Sequence, residues 1–113
     1  MSARIFVTRR WPVDAAQLAG PGIHVEVFAP ERAPTREEIL DRARLAGAIV
    51  TSVADRIDRA LLDELPNLRV VAQSAVGYDN VDVASCMHRG ILVTHTPGVL
   101  TESTADLAFA LLL

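Results

Sequence analysis

Lysine is absent from this chain. All 11 basic residues among its 113 are arginine, set against 14 acidic ones for a net charge of −3. Without lysine there is no Schiff-base nucleophile and no phosphate-loop lysine. No basic stripe or patch stands out, so the footprint of a nucleic-acid binder is missing. Cysteine occurs once, at Cys86, which rules out an internal disulfide. The three histidines and this cysteine show no metal-ligand spacing, and no metal site is expected. No apolar run approaches the roughly 20 residues that span a bilayer. The opening "MSARIFVTRRWPV" lacks the charged-then-apolar pattern of a signal peptide. These features lead us to expect a cytoplasmic protein with neither membrane nor nucleic-acid partners. The dinucleotide fingerprint G-x-G-x-x-G is also missing, since Gly20 and Gly22 precede a strand rather than follow one. The chain alone is therefore not expected to bind a dinucleotide.

Aromatics make up only 4% of a chain that is 50% hydrophobic, so its core must be built from Val, Leu, Ile and Ala. Five short runs rich in β-branched residues read as strands: Arg4–Thr8, His24–Ala29, Gly47–Ser52, Leu68–Ser74 and Ile91–Thr96. Most are apolar throughout, as strands covered on both faces are, while "HVEVFA" alternates and suits a sheet edge. Helical patterns lie between them. Thr35 and Glu38 form a capping box ahead of Ile39, Ala43 and Ala46 on one face, with Leu40 beside them. Asp58 caps a helix whose buried side is expected to be Ala60, Leu61 and Leu65, ended by Pro66. Asp82 caps "VASCMHR", closed by Gly90. Pro12–Ala19 is a weaker helical segment, and "STADLAFALLL" begins a last helix after Thr101.

Strands alternating with helices predict an α/β fold with a parallel sheet. We expect flavodoxin-like order 2-1-3-4-5, helices on both faces, and a domain over 1–100 followed by the start of a further helix at 101–113. That last helix is apolar around most of its circumference and wants burial on several sides.

Ligands of such sheets bind beyond the carboxyl ends of the strands. Four segments follow strand ends: Thr8–Trp11, Thr51–Asp55, Ser74–Asp82 and Thr94–Thr101. In "SAVGYDNVD", Gly77 allows a positive φ, and successive N–H groups of such a turn can hold an anion. Two readings stay open. The amides of Val76 and Gly77 hold a carboxylate, or the stretch is a tight turn in which Asp79 and Asn80 bond locally. Local chemistry favours the turn, because Gly, Asn and Asp dominate turns anyway. His95 is the obvious titratable candidate, but no carboxylate stands in register with it, which favours a structural or solvent-facing role. His24 and His88 read as surface residues. Asp55, Asp58 and Asp63 read as helix-cap and helix-surface carboxylates. A phosphoacceptor receiver, which shares this fold class, needs an acidic cluster and a lysine that the chain does not have.

Taken together, "VVAQSAVGYDNVDVASCMHRGILVTHTPGVLTESTADLAFALLL" resembles the D-isomer-specific 2-hydroxyacid dehydrogenase family, in its glyoxylate/hydroxypyruvate reductase branch. The resemblance is clear over Leu68–Leu113 and weaker through "GAIVTSVADRIDRALLDELPNLR". It implies the flavodoxin-like substrate domain, also called the catalytic domain, of a two-domain enzyme that assembles as a homodimer. The segment 101–113 would then start the helix leading to a Rossmann domain for NAD or NADP. The implied substrates are small 2-oxo and 2-hydroxy acids. Residue by residue, Val76 and Gly77 match the loop whose amides hold the substrate carboxylate, and Ala75 shapes that turn. Val53 matches an apolar wall of the pocket, Thr104 a position near the cofactor, and Asp106 a structural acidic position. The family's catalytic Arg, acid and His come from later in its sequence, so no catalytic residue is expected here. His95 stands where many relatives carry Asn. The resemblance thus implies a fragment that is inactive alone and binds no cofactor alone. The reading from a different class is a non-catalytic domain that binds small carboxylates or pairs through its apolar final helix.

Overall fold

The apolar runs form five parallel strands: β1 (Ala3–Val7), β2 (Ile23–Val27), β3 (Ala48–Thr51), β4 (Val70–Gln73) and β5 (Leu92–Thr94). They lie in the order β2-β1-β3-β4-β5, as expected. This computed structural model describes residues 3–9 and 22–95. The segments Pro12–Ala19 and 101–113, with Thr104 and Asp106, lie outside the described residues. Among the described residues, three helices connect the strands: α1 (Arg36–Ala43), α2 (Arg59–Asp63) and α3 (Val83–His88).

Strand alternation sorts the side chains onto two faces. The register aligns Phe6, Ile49, Val71 and Val93 in one row across the sheet. That row packs with Ile39 and Ala43 of α1, Leu61 and Leu62 of α2, and Cys86 of α3 in one buried cluster. All three described helices therefore cover the same face. The alternate residues Ile5, Val7, Ala48, Val50, Val70 and Ala72 form a second buried cluster, on the other face. β3 and β4 are buried along their whole length, which accounts for their lack of alternation. β2 lies at the edge and is only partly buried. Its Glu26 shares a row with Phe6 and accepts from Arg42 of α1 at 2.9 Å.

The helix ends obey local chemistry. Thr35 and Glu38 close a full capping box on α1. Asp58 accepts from the Leu61 amide at 3.0 Å, and Asp82 from the Ser85 amide at 3.0 Å. Gly90 follows α3 with φ of 71°, in the left-handed region where glycine carries no penalty. One core expectation is corrected. Ala60 is exposed, and Leu62 joins Leu61 and Leu65 in the core instead. At roughly 100° per residue, Leu61, Leu62 and Leu65 share one side, and Ala60 turns away from it. Cys86 is buried, and that burial pushes its thiol up to about 11, so it packs as an apolar group.

Candidate functional site at the carboxyl edge of the sheet

Because the strands are parallel, β1, β3, β4 and β5 all deliver their following residues to one edge. Thr8, Ser52–Asp55, Ser74–Asn80 and His95 gather there. A buried network of polar side chains, unanticipated from the sequence, ties these segments together.

Asp55 is only 2% exposed, a correction to its reading as a helix-cap or surface carboxylate. Its Oδ2 accepts from the Thr8 hydroxyl and from the Ser52 amide, the latter at 2.8 Å. It thereby links the ends of β1 and β3. Next along the edge, the Thr51 hydroxyl donates to Gln73 Oε1 at 2.6 Å, and the Ser74 hydroxyl donates to the Thr51 carbonyl at 2.6 Å. Gln73 Nε2 then donates to the Gly77 carbonyl at 3.1 Å and to Asn80 Oδ1 at 2.7 Å. Asn80 Nδ2 reaches back to the carbonyls of Ser52 at 3.0 Å and Asp55 at 2.6 Å. A parallel bridge between Ile57 and Val81 continues the join, with Ile57 N donating to Asn80 O at 2.8 Å. Asn80 therefore bonds across the edge rather than within its own turn. Two cues were present in the sequence: an amide at the end of an apolar strand and another in the loop after it. Nothing local paired them.

This scaffold displays the candidate residues. Val53 is 63% exposed in the turn after β3, and Val76 is 61% exposed in the loop after β4. Ala75 beside it is half-buried and Gly77 is exposed. Among the described residues, nothing accepts from the amides of Ala75, Val76 or Gly77. Gly77 does not have positive φ, which corrects the conformational reason given for it above. A Cβ built on Gly77 would meet nothing within 4 Å. Neither backbone nor packing demands glycine there. Tyr78, also partly exposed, meets the His95 ring edge-on, with centroids 5.0 Å apart. His95 is exposed, and its Nδ1 lies 2.9 Å from the Val76 carbonyl oxygen. His24 and His88 are exposed, as expected. A cleft of about 550 Å³ between the loops after β3 and β4 is lined by Val53, Ala54, Asp79 and Asn80, among others.

The sheet from Ile5 onward, and this edge with it, fall within a match to the D-isomer specific 2-hydroxyacid dehydrogenase, catalytic domain, over residues 5–110. The chain belongs to the D-isomer-specific 2-hydroxyacid dehydrogenase family. It is 45% identical to the glyoxylate reductase of Thermococcus litoralis over 113 residues, 100% of this chain and 34% of that protein. It is similar to a protein from Thermus thermophilus of known crystal structure, with a TM-score of 0.78 and 45% identity, covering 97% of this chain and 35% of that one. It is also similar to the D-lactate dehydrogenase of Aquifex aeolicus, solved with NAD and lactic acid, with a TM-score of 0.63 and 26% identity. That match covers 96% of this chain and 32% of that one. The chain spans about a third of the length of the curated relatives it matches. The dehydrogenase catalytic domain accounts for the strand order found here. In this chain the exposed loops after β3 and β4 lie at the carboxyl edge, where parallel sheets take ligands.

Proposed function

We propose that this chain is the substrate-binding third of a glyoxylate/hydroxypyruvate reductase-like enzyme that reduces a small 2-oxo acid with NADH or NADPH. In this reading the N–H groups of Val76 and Gly77 hold the substrate carboxylate. Val53 forms an apolar wall, and Ala75 keeps the turn narrow. The observation that carries the reading is the state of Gly77. It is exposed, outside the left-handed region, and free of any neighbour that a Cβ would strike. Its small size then serves whatever approaches from outside, beside N–H groups that donate to a ligand rather than to another part of the sheet.

The residues present do not form a dinucleotide cradle, since the glycine fingerprint is absent from the chain. Thr104 is the one residue proposed to stand near the nicotinamide. This chain's own contribution is to bind and orient the 2-oxo acid, whose carboxylate forms charge-assisted hydrogen bonds with the two amides. The apolar sequence Leu107–Leu113 supports assembly through that segment, as a homodimer in this reading.

The test is an assay of the intact gene product with glyoxylate and NADH or NADPH, followed by nicotinamide absorbance. Oxidation that depends on glyoxylate supports the reading, and its absence with both cofactors counts against it. The 113-residue chain alone is expected to show no turnover.

A further inference from the structure

We propose that His95 is a positioning residue that aims the Gly77 amide at the substrate carboxylate; this rests on the reading of the Val76–Gly77 loop given above. The Val76 carbonyl and the Gly77 N–H belong to one peptide unit. That unit is planar and trans, so the two groups point in opposite directions and move together. Whatever grips the carbonyl also sets the direction of the N–H.

His95 supplies that grip. Its Nδ1 lies 2.9 Å from the Val76 oxygen. A carbonyl can only accept, so Nδ1 carries the proton and donates. The imidazole is held in turn by the Tyr78 ring, which meets it edge-on at 5.0 Å with an interplanar angle of 63°. The next peptide is gripped separately, because Gln73 Nε2 donates to the Gly77 carbonyl at 3.1 Å. Two consecutive peptide units are thus fixed by side chains from two different strand ends. The loop needs such fixing. It is exposed from Val76 to Asp79 and has no left-handed residue to stiffen it. His95 is itself exposed and absent from both buried clusters, so stability alone gives it little to do.

The experiment compares the intact gene product with its His95→Leu, His95→Ala, His95→Asn and Gly77→Val variants. KM for glyoxylate, kcat and the thermal midpoint are measured for each. Loss of one orienting hydrogen bond predicts a KM raised roughly fivefold in His95→Leu and His95→Ala, with kcat and the midpoint little changed. His95→Asn, which keeps a side-chain N–H, is expected to stay near the wild-type KM. An unchanged KM in His95→Leu and His95→Ala beside a raised KM in Gly77→Val overturns the role of His95 and leaves the carboxylate site standing. An Asn variant as impaired as the Leu variant also overturns it. An unchanged KM in Gly77→Val removes the carboxylate site itself.

Discussion

Asn80 Nδ2 donates to the backbone carbonyl of Asp55 at 2.6 Å, across 25 residues of sequence. The same amide group reaches the Ser52 carbonyl, while its Oδ1 accepts from Gln73. One side chain therefore joins the loop after β3 to the loop after β4. Replacing it with Leu leaves two carbonyls and the Gln73 amide without these partners. Asn80→Leu is expected to cost about 1–3 kcal/mol in equilibrium urea unfolding. A loss below a few tenths of a kcal/mol would mean that the loops hold together without it.

Thr8 and Asp55 make the corresponding join between β1 and β3. Thr8→Val keeps the shape and removes the hydroxyl that donates to the buried carboxylate. Hydrogen bonds to charged groups are worth about 1.5–3 kcal/mol, so a destabilisation of that size is expected. Thr8→Ser keeps the hydroxyl and loses only a methyl group, at about 0.8 kcal/mol. The reverse ranking in thermal unfolding would show that Thr8 matters for packing rather than for its bond.

Sequence reading reached the fold further than the edge, for a physical reason. Strands, caps and the left-handed Gly90 are set by near neighbours, so β-branched runs, Thr35 with Glu38, and Asp58 and Asp82 could be read directly. The flavodoxin-like order was consistent with the alternating strand at the sheet edge, where the structure places it. The Thr8–Asp55 bond and the bonds from Asn80 to Ser52 and Asp55 depend on segments meeting only after the sheet has formed. Asp55 therefore looked like one more helix-cap or surface carboxylate. Gly77 was legible as a special position, but for the wrong conformational reason. The structure shows open space beside it, which no local pattern displays.

Asp58 gives a dependence on acid. The Arg36 guanidinium beside it, and then the Leu61 amide, hold its carboxyl at about 2, below its ordinary 3.8. A depressed folded-state value means that the stabilisation is present above the unfolded value and is lost as pH falls through the folded one. Asp58→Asn retains a capping oxygen but loses the attraction to Arg36. Wild type is expected to melt higher than the variant above about pH 4, with the gap closing towards about pH 2. The gap should narrow in salt, because the pair is partly exposed. Thermal melts across this range check it, and a gap independent of pH would contradict it.

The central claim is that the Val76–Gly77 backbone holds a carboxylate. The most direct measurement is KM for glyoxylate in Gly77→Val of the intact gene product, with the thermal midpoint measured alongside. A Cβ at Gly77 meets open space inside the chain, so the fold should tolerate the change. Displacing a carboxylate from two charge-assisted hydrogen bonds should raise KM by about tenfold or more. A raised KM with an unchanged melting midpoint is the predicted result. An unchanged KM would return this loop to a simple reversal of the chain.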